Sequence, residues 1–446
     1  MSVVGKKASI SPKHLVLFSF GKNENLLLIL VYTLVIYIYM CLVSLAALFG
    51  HKKARLMRRG QRATWKILRE RIDVADRPVW FHVASLGEFE QGRLLIERLK
   101  REHPEQKILL TFFSPSGYEV RKNYEYADAV CYLPFDTKPG VRKFLRLAHP
   151  AMAVFVKYEF WANYLFLCHQ RDIPVYSVSS IFRPSQLFFR PWNMGYSRVL
   201  WWVTHFFVQN EASRLLLARK GLTNVTVTGD TRLDRVVQIQ QKARSLPLVE
   251  AFVGDGAQNV FVAGSSWPPD EDVYLPYFAH KGWKLIIASH EISTLRIEKL
   301  RARCEREVGY TITYGEAASF SADALREARV LLVDCFGLLS SIYRYGTVAY
   351  VGGGFGVGIH NVPEAAVYGL PVLFGPNNKK FQEAQTLLAR GGAFEVGGNV
   401  DFAEKMDSLL SDPKSLNQAG KAAAEYIHSG AGAVERIYKA IFNPCQ

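Results

Sequence analysis

Short apolar runs alternate with amphipathic stretches along most of the chain from residue 79 onward. Continuous apolar runs are typical of strands buried on both faces, and intervening amphipathic helices indicate a parallel sheet between two helical layers. The first series predicts strands at 79–84, 108–113, 129–133, 152–156, 173–178, 204–208 and 225–228. Helices are predicted between them, for instance at 89–101 and 211–220.

The alternation breaks once, at "SLPLVEAFVGDGAQN" (245–259), and then resumes. We therefore expect an α/β protein with two Rossmann-like domains that face each other across a cleft. A closing helix, at about 415–442, is expected to pack back on the first half. Strands of the second series are predicted at 260–264, 284–289, 330–334, 348–354 and 371–375. The predicted divisions are an N-terminal segment at 1–51, a first domain at 52–244, a hinge at 245–258 and a second domain at 259–446.

The segment 26–50 contains no charged residue and reads "LLLILVYTLVIYIYMCLVSLAALFG". About 20 apolar residues cross the hydrocarbon of a bilayer, so this segment predicts a transmembrane anchor. A buried helix of a soluble domain is the alternative. The basic run that follows places the rest of the chain in the cytoplasm and on anionic headgroups. It comprises Lys52, Lys53, Arg55, Arg58, Arg59, Arg62, Lys66, Arg69 and Arg71.

The net charge indicates what kind of partner the protein has, and the cysteine content excludes two kinds of structural site. The formal net charge of +15 indicates an acidic partner, such as phosphates, anionic lipid or a nucleic acid. The six cysteines are scattered without a Cys-x-x-Cys pair, which argues against a disulfide framework and a zinc site.

Ligands of open parallel sheets bind beyond the carboxyl ends of the strands, so the residues that follow each strand are informative. "SLGE" joins the first predicted strand to its helix and supplies Ser85, Gly87 and Glu88. Ser85 and Glu88 fit a capping box. The same helix start stabilises Glu88 as an anion, and Gly87 leaves room for a substrate, so Glu88 also suits a general base. Both interpretations can hold together.

Four loops of the second half follow predicted strands and lead into helix starts, which bind phosphates well. Each loop alone fits ordinary capping, and His360 alone fits a structural histidine; together they predict a nucleotide site. The triplet at 270–272 is interpreted as acids of a first helical turn, not as a metal site. Asn361 is expected to cap a helix that Pro363 begins. The candidates are Ser265, Ser266, Ser289, His290, Phe336, Gly337, Leu338, Gly354, His360, Asn361, Val362, Pro363 and Glu364.

Two further residues of the first half follow predicted strands. Glu159 lies among aromatic residues in "VKYEFWANY", where an acid at the edge of the core is equally consistent. Arg232 ends "VTGDTR" and points toward the expected cleft, with a surface salt bridge as its alternative role.

These motifs resemble those of the 3-deoxy-D-manno-octulosonic acid (Kdo) transferases, membrane-anchored glycosyltransferases with the GT-B fold. The family's S-V-G-E corresponds to 85–88, its E-T-E-L-W-P-N to 157–163, and its V-T-G-N-x-K-x-D to 227–234. "TFFSPSGYEV", "YLPFD" and the segment 351–376 resemble further family motifs in the same order. Lys157 replaces the first glutamate of E-T-E, Ala162 replaces a proline, and Leu338 stands where the family has a glutamate. Arg183 has no secure register in the family pattern.

The resemblance implies roles for the candidate residues. Glu88 corresponds to the proton acceptor, and Glu159 and Arg232 to stabilisers of the transition state. Ser289–His290, 336–338 and 361–364 correspond to segments that bind the CMP of the donor, CMP-Kdo. The implied reaction transfers Kdo, with inversion and without a metal or other cofactor, onto a lipid A precursor (lipid IVA).

The implied location is the cytoplasmic side of a bacterial inner membrane, with one membrane crossing and no nucleic acid partner. One alternative is another membrane-associated GT-B enzyme that moves a UDP-sugar onto a lipid. The other is an anchored scaffold that binds a nucleotide without catalysis. The number of Kdo units, the acylation of the acceptor and the oligomeric state are not fixed by the sequence.

Overall fold

The computed structural model describes residues 22–190, 195–256 and 259–443. The chain forms two compact units. The first comprises the residues up to Arg232 and those from Gly432 onward, and the second comprises Leu233–Ala431. Residues 1–21 of the predicted N-terminal segment and residues 257–258 of the predicted hinge lie outside the described ranges.

The first unit is a seven-stranded parallel sheet with helices on both faces. Its strands are β1 Val79–Val83, β2 Ile108–Phe112, β3 Ala129–Tyr132, β4 Met152–Val156, β5 Val175–Ser180, β6 His205–Val208 and β7 Val225–Val227. Its helices are α1 Lys22–Leu48, α2 Lys52–Arg71, α3 Leu86–Glu102, α4 Pro115–Arg121, α5 Lys138–Ala148, α6 Ala162–Gln170, α7 Glu211–Ala218 and the closing α19 Ala433–Phe442. α8 Thr231–Gln241 begins in this unit and continues into the second.

The strand order of the first sheet is β3-β2-β1-β4-β5-β6-β7. Chain direction across the sheet therefore reverses between β1 and β4, which pair in parallel from Val79 with Met152 to His82 with Phe155. Such a switch point opens a crevice at the carboxyl ends of the two strands, where ligands of doubly wound sheets bind. Glu88 follows β1, and Lys157 and Glu159 follow β4, so the switch point gathers the candidate residues of this unit.

α1 is the apolar helix predicted from the sequence, and its segment Leu30–Leu48 is long and apolar enough to cross a membrane. One stripe of it packs on the first unit. Ile36 is buried, and Met40 and Val43 contact a small cluster of Met57, Tyr132 and Phe135. The opposite face is apolar and exposed, with Leu34 60% and Leu42 59% accessible.

The second unit repeats the architecture with the order β10-β11-β9-β8-β12-β13-β14, all parallel, and a switch point between β8 and β12. Its strands are β8 Val260–Ser266, β9 Lys284–Ser289, β10 Thr311–Thr313, β11 Val330–Val333, β12 Val348–Val351, β13 Val372–Phe374 and β14 Ala393–Glu395. Its helices are α9 Pro247–Val253, α10 Pro268–Phe278, α11 Thr294–Glu307, α12 Tyr314–Ala317, α13 Ala322–Glu327, α14 Leu339–Ile342, α15 Pro363–Ala366, α16 Gln382–Ala389, α17 Asn399–Ser411 and α18 Pro413–Gly430.

The two parallel α/β units and the long apolar helix confirm the predicted fold class. The units divide twelve residues before the predicted boundary at 244, because the segment predicted as a hinge contains α9, whose Val249 and Phe252 are buried in the second unit's core. The predicted closing helix is two helices, interrupted at Gly432, whose φ of 90° ends the regular geometry. α19 alone belongs to the first unit, where Ile437 and Tyr438 join the cluster around β1 and α3.

Candidate active site

The carboxylate of Glu88 is fixed at the first turn of α3 by bonds to one of its two oxygens. Oε2 accepts from the backbone N–H groups of Ala84 (2.8 Å) and Ser85 (3.0 Å) and from the Ser85 hydroxyl (3.3 Å). Oε1 has no hydrogen-bond partner among the described residues. A Cβ placed on Gly87 would meet only Ser85 Oγ, at 4.0 Å, so the approach to the helix start is open. The capping and general-base interpretations are thus compatible in one geometry.

The pKa of Glu88 is shifted in the direction opposite to the one expected. A helix start favours the anion and would lower the pKa, whereas the pKa of Glu88 is raised. Burial raises the pKa of Glu88, and the neighbouring Glu159 raises it further, while Lys157, the Ala84 amide and His82 lower it. Desolvation therefore outweighs the helix dipole at this position. A carboxylate whose pKa is raised is a stronger base, so the shift suits proton abstraction.

Glu159 is held at the carboxyl end of β4 by two ring nitrogens. Its Oε2 accepts from the indole N–H of Trp161 (2.8 Å) and lies 3.4 Å from Nε2 of His82. His82 is fully buried in β1, and its Nδ1 lies 2.9 Å from the hydroxyl of Thr111 in β2. Glu159 is therefore an oriented, largely buried carboxylate at the switch point, beside Glu88.

Backbone strain is concentrated where these strands end. Lys157 and Ser179 adopt φ values of 63° and 52°, a region that non-glycine residues rarely occupy. The conformation of Lys157 is fixed because its N–H donates to Val178 O (2.9 Å) and its carbonyl accepts from Ser180 Oγ (2.9 Å). Such strain persists where the surrounding structure over-determines it, and it clusters at functional sites.

Arg232 forms the ion pair that was its alternative role. Its guanidinium donates to Asp230 Oδ2 from Nε (2.8 Å) and from the terminal nitrogen (2.6 Å), and 42% of its side chain is exposed. Arg232 also acts on Tyr158, whose pKa is raised by burial and lowered by Arg183 and Arg232. Arg183, for which the family pattern gave no secure register, therefore lies close enough to Tyr158 to affect its pKa.

In the second unit, Asp270 connects the loops that follow β8 and β12. Its Oδ2 accepts from the N–H groups of Trp267 and Gly353 (both 2.9 Å), and its Oδ1 accepts from the Tyr350 hydroxyl (3.0 Å). Because Asp270 is fully buried, these bonds fix both loops at the switch point.

Three aromatic rings form a stack at this edge. His290 stacks on both Trp267 and His360, with ring centroids 4.4 and 4.5 Å apart, and the edges of those two rings meet. The indole N–H of Trp267 donates to Nε2 of His360 (3.1 Å), which places the proton of the neutral ring on Nδ1. Burial lowers the pKa of His360, and His290 lowers it further. The stack presents flat aromatic rings beside a glycine-rich loop.

Serines of β8 and β9 flank the stack. Ser265 has a φ of 52°, and Ser266 is buried with its hydroxyl 2.8 Å from that of Tyr274. Ser289 is also buried, and its Oγ has no hydrogen-bond partner in the part of the chain that the structure describes. A buried hydroxyl without a partner is uncommon, and a bound ligand is one way to satisfy it.

The glycines after β12 permit close backbone approach. A Cβ on Gly353 would lie 2.4 Å from the Gly358 carbonyl, and one on Gly354 would lie 2.5 Å from Gly375. Gly353 also has a φ of 93°, so larger residues are excluded there both by space and by conformation.

The prediction that Asn361 caps the next helix was wrong. Val362 is the cap of α15, Pro363 follows at the first position as predicted, and Asn361 donates to Glu364 Oε1 (2.7 Å). The amide of Asn361 bonds the partly buried carboxylate of Glu364, whose pKa is raised by desolvation and lowered by this bond.

The last donor-site loop follows β11. Phe336 is 83% exposed, Gly337 has a φ of 88°, and Leu338 precedes α14. An exposed aromatic ring on a glycine turn is available to stack on a flat ligand.

The triplet 270–272 has the structural role favoured from the sequence. Asp270 fixes the loops, Glu271 pairs with Arg296, and Asp272 pairs with Arg303 (2.6 Å). No group of three potential metal ligands occurs within the described ranges.

Sequence reasoning missed several residues that position these sites: His82, Trp267 and Asp270 as site elements, and Asp136 as the cap of α6. It placed Trp161 just past a strand beside Glu159 but did not predict the hydrogen bond between them. His82 was detectable as the one polar residue in the apolar strand "VWFHV". Asp136 was detectable only as part of "YLPFD", since its partners are distant in sequence.

The family model and the relatives that match this sequence carry the same description. Residues 53–235 match the family model of 3-deoxy-D-manno-octulosonic-acid transferase (kdotransferase). The chain is 28% identical over 352 residues to the 3-deoxy-D-manno-octulosonic acid transferase of Aquifex aeolicus, covering 77% of this chain and 89% of that protein. It is 25% identical over 384 residues to that of Bordetella pertussis, covering 82% and 86%.

Solved structures agree on the fold. The UDP-GlcNAc 2-epimerase of Neisseria meningitidis superposes with a TM-score of 0.56 at 14% identity, covering 82% of this chain and 100% of that one. The putative UDP-N-acetylglucosamine 2-epimerase of Listeria monocytogenes gives 0.55 at 14% identity, covering 83% and 98%. At these identities the likeness shows the fold, which is of the GT-B type.

Proposed function

This chain belongs to the family of 3-deoxy-D-manno-octulosonic acid transferases, and from that premise we propose that it transfers Kdo from CMP-Kdo onto the lipid A precursor lipid IVA. The observation that carries the proposal is Glu88. At the switch point of the first sheet, one oxygen of this carboxylate is fixed by three donors, and the other has no partner among the described residues. This geometry fits a base that must point one lone pair at a substrate hydroxyl.

In the proposed reaction, Oε1 of Glu88 takes the proton of an acceptor sugar hydroxyl. The hydroxyl oxygen attacks the anomeric carbon of Kdo, and the bond from that carbon to the phosphate oxygen of CMP breaks. Attack from the face opposite CMP inverts the configuration through an oxocarbenium-like state. CMP leaves with the bonding electrons.

Glu159 and Arg232 supply opposite charges to this reaction. Glu159, oriented by Trp161 and His82, would stabilise the positive charge that develops on the sugar ring. Arg232 would offset negative charge on the leaving phosphate. Its ion pair with Asp230 keeps the guanidinium in place while part of it stays accessible.

The second unit would bind the donor. The buried hydroxyl of Ser289 offers a hydrogen-bond donor, and the exposed ring of Phe336 offers a stacking surface. These groups need no metal to hold a nucleotide. Independence from metal stays a prediction, and full turnover after dialysis against EDTA would support it.

The body is proposed to lie on the cytoplasmic side of the inner membrane, attached through α1. A single crossing by Leu30–Leu48 stays a prediction, and the packing of Ile36, Met40 and Val43 on the first unit counts against it. A cysteine in place of Ser2 tests it, because a crossing helix exposes that thiol to an impermeant maleimide from the periplasmic side of intact cells. Labelling only after lysis would contradict the crossing.

The decisive assay is mass spectrometry of lipid IVA incubated with CMP-Kdo and the purified chain. The expected product carries added Kdo, and Glu88→Gln should lower turnover by about 10²–10⁴-fold while CMP still raises the Tm. Glu90→Gln, on the same helix, is the matched control and should keep turnover near that of the parent protein. A Tm raised by UDP but not CMP, or full turnover in Glu88→Gln, would contradict the proposal.

A further inference from the structure

A small cavity opens between α1, α2 and the loop that follows β3 in the first unit. Its volume is about 160 Å³, room for a headgroup phosphate but not for a whole lipid. Its walls combine apolar side chains with two guanidinium groups. The lining residues are Met40, Arg58, Gln61, Arg62, Trp65, Pro134, Phe135, Thr137 and Gly140.

The two arginines of the cavity have no partner for their charge within the described ranges. Arg58 and Arg62 form neither an ion pair nor a side-chain hydrogen bond with any described residue. Only two other basic residues of α2 have a side-chain ion pair or hydrogen bond within the described ranges: Arg55 donates to the Ala47 carbonyl (3.1 Å), and Lys66 lies 3.8 Å from Glu70. What distinguishes Arg58 and Arg62 from the remaining basic residues is that they line the cavity. Four residues apart on α2, Arg58 and Arg62 project from one face, where two guanidinium groups can bind the oxygens of a phosphate.

The aromatic ring of Trp65 lines the cavity, and the ammonium group of Lys143 lies over that ring. Trp65 continues the face of Arg58 and Arg62 one turn later, and Lys143 Nζ lies 4.4 Å from the centre of its ring. Tryptophan prefers the level of the headgroups at a membrane surface, where its ring is apolar and its N–H is hydrated.

The remaining wall belongs to the apolar helix. Met40 of α1 lines the cavity. The outer face of the same helix is exposed hydrocarbon, to which Leu34, Ile38 and Leu42 contribute. An amphiphile whose phosphate enters the cavity can therefore lay its acyl chains along α1. A soluble phosphate would use the arginines but not this apolar surface.

We propose that this cavity binds the phosphate of an anionic phospholipid of the bilayer. Arg58 and Arg62 contact the phosphate oxygens, Trp65 lies at headgroup level, and Met40 and α1 contact the first part of the acyl chains. The site fixes the depth and orientation of the first unit at the membrane. It is independent of the reaction proposed above, because the lipid is neither donor nor acceptor.

The test measures the Tm of the detergent-solubilised full chain with short-chain phosphatidylglycerol, short-chain phosphatidylcholine or inorganic phosphate. A ligand that binds only the folded state raises the Tm in proportion to its affinity. Phosphatidylglycerol should raise the Tm of the parent protein more than the other two. Arg58→Gln/Arg62→Gln should weaken its apparent affinity by about tenfold or more, because the charge-assisted hydrogen bonds to the phosphate are lost.

The matched control is Arg59→Gln/Arg71→Gln, which removes the same charge from exposed positions of the same helix that do not line the cavity. Its affinity for phosphatidylglycerol should change less than about twofold. Equal losses in both double variants would reduce the effect to general surface charge and overturn the site. Inorganic phosphate as effective as the lipid would overturn the lipid as ligand.

A second measurement does not depend on the variants' stability. Native mass spectrometry of the parent protein purified from membranes should show one retained phosphatidylglycerol, and the Arg58→Gln/Arg62→Gln protein should retain none. The proposal would be contradicted if the parent protein retained a phospholipid without net charge in equal amount, or if it retained no lipid. Neither measurement uses CMP-Kdo, so its outcome is separate from that of the transfer assay.

Discussion

The hydroxyl of Tyr32 in α1 donates to the carboxylate of Asp136, 104 residues later in the chain, and accepts from the backbone N–H of Ala162 (3.2 Å). Asp136 also accepts from the N–H groups of Asn163 and Tyr164 (both 3.0 Å). Together the two side chains cap the first turn of α6, which begins directly after Trp161. The apolar helix is thus tied to the loop that carries Glu159.

Tyr32→Phe should destabilise the first unit and slow the proposed transfer. The change removes one donor from a buried carboxylate and one acceptor from a helix start, a loss on the order of 1–3 kcal/mol. Turnover should fall several-fold with the KM for CMP-Kdo unchanged, because the loop of Glu159 is displaced. Tyr37→Phe, on the exposed face of the same helix, is the control for both chemical denaturation and kinetics. Equal behaviour of the two variants would show that the tie has no role.

Asp136 should make stability depend on pH in the range where most carboxylates no longer titrate. Burial raises its pKa to about 6, against the lowering effect of its hydrogen bonds to Tyr32, Asn163 and Tyr164. A carboxyl whose folded pKa lies above its unfolded value stabilises the fold below the unfolded pKa, and this contribution is lost as pH rises through 6.

The measurement is urea unfolding at several pH values. Between about pH 7.5 and about pH 5, Asp136 should contribute on the order of 1 kcal/mol of added stability. Asp136→Asn should remove this part of the pH dependence of the free energy of unfolding. Asp128→Asn, at a carboxyl whose pKa is lowered, should leave the pH dependence in this range unchanged. An unchanged slope in Asp136→Asn would show that its folded pKa is ordinary.

Lys157→Gln should move the acid limb of the pH–rate profile to higher pH. Glu88 acts in the deprotonated form, and the positive charge of Lys157 lowers the pKa of Glu88 against the effects of burial and Glu159. Removing that charge raises the pKa, so kcat/KM falls off at a higher pH. Lys122→Gln, paired with Glu119 on the surface, is the control. A limb that stays in place or moves to lower pH would contradict Glu88 as the titrating base.

Gly60→Ala should destabilise the first unit although alanine is normally the better helix former by about 1 kcal/mol. A Cβ on Gly60 would lie 2.1 Å from the ring of Tyr132, which is fully buried in β3. The overpacking costs about 1–3 kcal/mol and exceeds the gain in helix propensity. Gly282→Ala, where a Cβ meets nothing within 4 Å, should be nearly neutral in thermal unfolding. A Gly60→Ala protein as stable as its parent would show that α2 can shift on the sheet.

Much of the fold was readable because buried parallel strands are uniformly apolar. The runs "ILLTF" and "KLIIAS" match β2 and β9 within a residue. β10 and β14 were not predicted, since "TIT" and "AFE" have three residues each and carry no apolar run. Only their pairing with β11 and β13, which depends on the folded sheet, defines them as strands.

The sequence predicted where the site residues lie in the fold, but it did not predict their contacts. Placement after strands located Glu88, Glu159 and His290 at the edges where they lie, because the carboxyl ends of parallel strands share one edge. The hydrogen-bond partner of a side chain depends on how the chain packs. The sequence therefore did not predict that Asn361 bonds Glu364, and it left the ion pair of Arg232 as one of two alternatives. The sign of the Glu88 shift also required the structure, since burial and Glu159 outweigh a helix start that the sequence does show.

The return of α19 to the first unit has a consequence for biosynthesis. Ile437, Ile441 and Phe442 cover apolar residues around β1 and α3, yet they are translated after the whole second unit. The rest of the first unit therefore waits, with that surface uncovered, until the second unit has been translated, and a premature stop between the second unit and α19 leaves the surface permanently open to aggregation. Synthesis of α19 thus completes a unit whose other elements are made before the second unit.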